Sequence, residues 1–183
     1  MRIEVTERNV NYYDEIMYIS LFMKKIIANP FNKVKGLSKY YKMQSIFWGC
    51  VTLLYLVITF ATRFEGGFVY IVWFCLIFLI ISLRGLIHTK KLLKNYSLID
   101  TVSVFEMNED LISITGVDET LVSVKWDSVR NILISKNSIV FIPKENVGVL
   151  LTVSIKYVED ILKTIKKYNK NEMIIDNRHL YKK

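Results

Sequence analysis

The side chains best suited to nucleophilic, acid–base or metal chemistry are few in this chain: two histidines, His88 and His179, and two cysteines, Cys50 and Cys75. No pattern of Ser, Cys or carboxylate around either histidine spells a triad. Glycine-rich phosphate loops, HExxH, CxxC and Walker elements are all missing from the sequence. Both cysteines fall inside long uncharged runs, where a thiol usually serves as inert apolar filler. As helical residues they would differ in depth by roughly 6 Å at 1.5 Å per residue, which makes a disulfide between them marginal. The expectation is a protein that is not an enzyme, with no catalytic residue, no cofactor and no metal.

The cations offer a different chemistry. The formal net charge is +8, but it is unevenly placed. Residues 23–42 carry six lysines and no acid, among them Lys33, Lys35, Lys39 and Lys42. Residues 84–99 carry Arg84, Lys90, Lys91 and Lys94. Residues 100–183 hold twelve basic and twelve acidic side chains, a net charge of zero. The excess therefore flanks two apolar stretches, where each cation gains about 1 kcal/mol from an anionic leaflet. A balanced C-terminal half offers no stripe for phosphates, so nucleic acid is not an expected partner. The eight named cations are candidate topology and lipid contacts.

The stretches they flank are the strongest signal in the chain. Met43–Thr62 is twenty residues without a charge, and Gly66–Leu83 is eighteen more. A bilayer core about 30 Å thick needs roughly 17–25 apolar residues of helix. Both runs fit, and their aromatic residues gather toward the ends, as in interfacial belts. Neither contains Asp, Glu, Lys, Arg or His, which argues against a proton relay, pore or transporter. Small residues are sparse, so no strong helix–helix motif is evident. A tight hairpin turning at Arg63–Gly67 is expected, acting first as an anchor. Lys and Arg near span ends stay cytoplasmic, which puts both termini inside. Met1–Lys42 has no apolar core of the cleavable-signal type, so no cleavage is expected.

Around the hairpin the periodicity changes twice. Ile3-Glu4-Val5 suits a short strand. Thr6 suits an N-cap with Glu7 in the first turn. Val10, Tyr13, Ile16, Met17, Ile19, Ser20 and Met23 follow helical spacing up to Asn29-Pro30, which ends the helix. Phe31–Lys42 mixes lysines with aromatic and apolar residues and reads either as an interfacial helix or as a plain basic flank. Residues 84–99 extend the second span as a helix. From Asp100 the pattern alternates: 101–107, 111–115, 120–126, 131–135 and 138–143 read as five short strands of an antiparallel meander. Pro143 cannot donate to a ladder, so it closes the fifth strand or lies on an edge. Val147–Val153 is ambiguous between loop and strand. Ile155, Val158, Ile161, Leu162, Ile165 and Tyr168 mark one face of a helix ending near Asn169, and 171–183 read as a loose tail.

Several of these residues carry a family likeness. Leu111-Ile112-Ser113-Ile114 follows an acidic turn. Lys125-Trp126-Asp127-Ser128-Val129 forms a Trp-x-x-Val element. Phe141-Ile142-Pro143-Lys144 ends a strand, and Thr6-Glu7 precedes Tyr12-Tyr13. In these, and in its order of short N-terminal segment, two spans and strand-rich domain, the chain resembles the YcxB-like family of bacterial membrane proteins. The resemblance implies a pleckstrin-homology-like C-terminal fold, a bent antiparallel sheet closed by one helix, and no catalytic residues. The chain departs from the family pattern after Lys144, where the family usually turns polar. Trp126, Val129, Ile142, Pro143 and Lys144 are the candidate motif residues, with a structural role expected.

The resulting expectation is an α+β membrane protein: a two-helix transmembrane hairpin plus a cytoplasmic antiparallel β-meander closed by a C-terminal helix. Its expected parts are 1–42 as an amphipathic juxtamembrane segment, 43–99 as the hairpin with its helical extension, 100–170 as the pleckstrin-homology-like domain and 171–183 as tail. The expected location is the bacterial cell membrane, multi-pass. The expected role is a membrane-tethered module that binds a protein or peptide partner, with anionic-leaflet lipids as further partners and homo-oligomerisation through the spans left open. The second reading is an immunity or resistance protein against a membrane-acting toxin or bacteriocin.

Overall fold

The computed structural model describes residues 1–6, 9–29, 31, 33–63, 67–96, 102–116, 119–144 and 150–181. In chain order the elements are β1 (Arg2–Thr6), α1 (Val10–Leu21), α2 (Met23–Ala28), α3 (Leu37–Ala61), α4 (Phe68–Tyr96), β2 (Val102–Met107), β3 (Leu111–Thr115), β4 (Leu121–Lys125), β5 (Val129–Ile134), β6 (Ser138–Pro143), β7 (Leu151–Ser154), α5 (Val158–Lys167) and β8 (Ile174–Asp176). They form two compact units: Met1–Val34 with Tyr96–Lys183, and Lys35–Asn95.

The first unit is β-rich. One sheet has the order β1-β2-β3-β4 and is antiparallel throughout. The second has the order β7-β6-β5-β8, with β8 parallel to β5. A single 3-10 turn, Trp126–Ser128, joins them. In the first sheet, Phe105, Met107 and Ile112 turn inward and are sealed from solvent. They meet Ile132, Ile134, Ile139 and Phe141 of the second sheet, with Ile161 and Ile165 of α5 closing the same core. The opposite face of the second sheet is covered as well: Leu133, Val140 and Ile142 pack against Ile19, Ile26 and Val34. This explains why β5 and β6 read as short continuous apolar runs, since strands buried on both faces lose the period-two alternation.

Several expectations are corrected here. The five strands do not form one meander; they divide between two sheets, and each sheet gains a strand from afar. β1 pairs with β2 across some hundred residues, Ile3 opposite Phe105. The C-terminal segment is not loose: β8 closes the outer edge of β5, Ile174 opposite Ile132. Residues 1–34 belong with the β-rich unit rather than forming a juxtamembrane segment to residue 42, because they supply a sheet edge and the second core. Asn9, not Thr6, caps α1, its side-chain oxygen accepting from the Asn11 N–H. The buried face of α1 is Tyr12, Asp14, Glu15 and Ile19, so Val10 and Ser20 of the expected stripe lie outside. Val147 to Val149 of the ambiguous stretch lie outside the described residues, and its remainder contributes to β7.

The second unit is the helix pair α3 and α4, each long and apolar enough to cross a membrane. Their most apolar stretches are only 11% and 17% buried, unlike core helices of a soluble domain. The helices run antiparallel: Trp48 stacks on Phe78, while Gly85 lies against the ring of Tyr41. The buried positions include small residues at heptad spacing, Ser45, Thr52 and Thr59 on α3 and Cys75, Ser82 and Thr89 on α4. Small residues are sparse in both helices, as expected, but the few present recur at a seven-residue spacing among the buried positions. The hydroxyls of Ser45, Thr52, Thr59 and Ser82 each donate to the carbonyl four residues back, at 2.7–2.9 Å. A polar group turned onto its own backbone needs no water. Cys50 faces outward and Cys75 inward, and both are free thiols.

Candidate functional site

The motif residues are placed in the β-rich unit. Trp126 is buried, its indole Nε1–H donating to the Asn108 carbonyl at 2.8 Å and its ring edge-on to Tyr168. Val129, Ile142 and Pro143 are buried too. Pro143 ends β6 opposite Val129, two residues beyond the last pair with β7 (Phe141 with Leu151), so no ladder bond is lost. Lys144 is exposed, and its N–H donates to the Ser128 carbonyl. Trp126 and its neighbours thus hold the two sheets together; none of the buried four faces solvent.

All eight candidate cations are exposed. Lys33 lies in the β-rich unit, its ammonium 5.0 Å over the ring of Tyr181. Lys35, Lys39, Lys42, Arg84, Lys90, Lys91 and Lys94 lie in the helical unit. Because α3 and α4 are antiparallel, the start of α3 and the end of α4 share one end of the pair, which gathers Lys39 and Lys42 with Lys90, Lys91 and Lys94. Of the Phe31–Lys42 segment, only the part from Leu37 is helical, as the opening turns of α3.

A buried polar cluster escaped the sequence reading. Glu15 on α1 is 3% exposed. Its carboxylate accepts from Ser138 Oγ at 2.5 Å and from Asn137 Nδ2 at 2.9 Å, capping the turn between β5 and β6. Burial pushes its pKa up, and these hydrogen bonds offset part of the shift. Beside it, Ser135 Oγ is 2.9 Å from the Tyr181 hydroxyl, which also donates to the Val34 carbonyl and accepts from the Val34 N–H. Three segments distant in sequence are thereby tied at one turn. No local signal marks Glu15: an acid in an amphipathic helix ordinarily faces water.

The second candidate is a groove of about 530 Å³ between β1 and α5. Arg2 and Ile3 line one wall; Asp160, Lys163, Thr164 and Lys167 line the other, spaced as one stripe along α5. Just before α5, the Tyr157 hydroxyl donates to the Glu4 carbonyl of β1 at 3.0 Å. The sequence suggested only that Lys163 lies on a solvated face of α5, because nothing local announces that β1 will lie beside that helix. Among the described residues no group of three His, Cys, Asp or Glu could hold a metal ion. His179 is engaged locally, its Nδ1 2.9 Å from the Asp176 carbonyl.

Comparison of the chain with protein-family models, with curated proteins and with solved structures finds no match.

Proposed function

We propose that this chain is a multi-pass bacterial membrane protein of the YcxB-like type, in which α3 and α4 anchor a cytoplasmic, non-enzymatic module that binds a protein partner. The observation that carries the reading is the outer surface of the helix pair. Leu53, Val57, Phe60, Trp73, Ile77 and Ile80 are each more than half exposed, while Ser45, Thr52, Thr59, Ser82 and Thr89 are buried. Exposed in water, such a surface would cost about 25 cal/mol per Å² and far exceeds the apolar patches of soluble monomers. A bilayer removes that cost.

The gathering of Lys39, Lys42, Lys90, Lys91 and Lys94 at one end of the pair, opposite Arg63, supports placing that end in the cytoplasm. The β-rich unit offers open sheet edges at β1 and β4, which accept extended peptides in many binding domains. Its arrangement of one antiparallel sheet, one mixed sheet and a closing helix is compatible with the pleckstrin-homology-like expectation.

The test has two readouts on the full-length chain in its native membrane. The protein should resist alkaline carbonate extraction, and a cysteine replacing Arg63 should react with an impermeant maleimide added from outside. Photo-crosslinkers on the β-rich unit should capture a specific protein. Release by carbonate would remove the anchor; capture only from positions such as Leu53 would remove the module.

A further inference from the structure

The outward edge of β1 can be read bond by bond. Met1 and Met107 exchange both main-chain bonds, Met1 N–H to Met107 at 2.6 Å and Met107 N–H to Met1 at 2.8 Å. Antiparallel pairs alternate between bonded and non-bonded, so Ile3 with Phe105 is bonded and Arg2 with Glu106 is not. The N–H and C=O groups of Arg2 and Glu4 therefore point away from β2. The Glu4 carbonyl is already taken by Tyr157, as its alternation requires. The Arg2 N–H, the Arg2 C=O and the Glu4 N–H are left on the outward edge, with Arg2 lining the groove. A strand edge of this kind is a template for one more strand.

The groove is polar in direction as well as shape. Asp160 is the α5 lining residue nearest in sequence to Tyr157, which meets Glu4. Lys163 and Lys167 lie to either side of Thr164, whose Oγ1 is 3.1 Å from Met1 Sδ. Arg2 adds a third cation, its Nε 3.2 Å from Glu106. We propose that this groove receives an extended acidic peptide segment of a partner protein, added as a strand to β1 with carboxylates toward Lys163 and Lys167. The proposal rests on the reading of the β-rich unit as a binding module. Tyr157 would set where the added strand stops.

The test uses the full-length chain in nanodiscs of neutral lipid and a labelled peptide, Glu-Val-Glu-Val-Glu-Val, with Gln and Lys counterparts. Fluorescence anisotropy should show saturable binding of the acidic peptide, at least tenfold weaker for the Gln peptide and absent for the Lys peptide. The double substitution Lys163→Glu and Lys167→Glu should weaken binding at least tenfold. Arg2→Pro removes an outward N–H together with the Arg2 charge, without breaking a ladder bond, and should weaken binding further than Arg2→Gln, which removes the charge alone. Equal binding of the Lys peptide, no binding of the acidic one, or indifference to the double substitution and to Arg2→Pro would overturn the proposal. Photo-crosslinkers at Lys167 and at Leu121, on the opposite sheet edge, separate this from the wider reading. A partner captured at Leu121 and not at Lys167 overturns the groove while leaving the module; capture at neither, with capture from the spans, removes both.

Discussion

The two units of this protein are built to opposite rules. In the β-rich unit the large apolar side chains are inside: Phe105, Met107, Ile132 and Ile161 are essentially sealed from solvent, and charges such as Lys125, Lys136 and Glu159 lie outside. In the helix pair the order is reversed. Ser45, Thr52, Thr59, Ser82 and Thr89 are inside, while Leu53, Val57, Trp73 and Ile80 stand outward. Apolar burial stabilises a fold only where water is the alternative. Lipid tails are as apolar as leucine, so helices in a bilayer gain from close approach by small residues instead. Within one chain the packing rule thus changes with the solvent each unit is proposed to meet.

The largest expected effect sharpens that contrast. Phe105→Ala should cost about 3–5 kcal/mol, from lost burial plus the cavity left behind. Leu53→Ala, at a site 65% exposed, should cost under about 0.5 kcal/mol in nanodiscs. Amide hydrogen exchange of the two units would compare them; equal losses would break the proposed inversion. Next, Val57→Arg should impair insertion by about 2.5–3.5 kcal/mol, read as a carbonate-extractable fraction. An unchanged membrane fraction would mean that this face does not meet lipid.

A smaller effect tests the inner seam of the helix pair. A Cβ added at Gly85 would lie 2.6 Å from Tyr41 Cε1. Gly85→Leu should therefore force the ring aside at about 1–3 kcal/mol. The readout is the rate of cysteine crosslinking between α3 and α4 reporters. A matching loss in Gly49→Leu, where the nearest neighbour stands 4.0 Å away, would show that the seam is loose rather than close-packed.

The smallest effect concerns an exception in the β-rich unit, the buried carboxylate of Glu15. Folding raises the pKa of Glu15 above its ordinary 4.5. Between those two values the folded state binds more protons than the unfolded state. Stability should therefore fall as pH rises from about 4.5 through the folded value, then level off. Glu15→Gln should remove that slope while keeping a side-chain acceptor for the Asn137 amide, changing neutral-pH stability by about 1 kcal/mol. Urea melts across pH would check it, and a slope surviving in the variant would assign the titration elsewhere.

Particular residues show how far sequence reading reached. The strands 111–115 and 138–143 and the α5 stripe of Ile161 and Ile165 were legible, since each depends on neighbours a few positions apart. Glu15 was not, because its partners Asn137 and Ser138 lie some 120 residues away. The groove was illegible for the same reason: Arg2 reaches α5 only because β1 pairs with β2 across the whole helical insertion.

The sequence by itself determined the two long apolar helices, their basic flanks and the alternation of the strands. Helix length, charge clusters and periodicity are local quantities, and local physics suffices to set them. Only the tertiary structure decided which strands share a sheet, that β8 would close β5, that Tyr181 would pin Val34 and that the serines and threonines of the helix pair would be buried. Those outcomes depend on competition among many distant pairings, and the winner is set by total burial and hydrogen-bond satisfaction rather than by any one segment's preference.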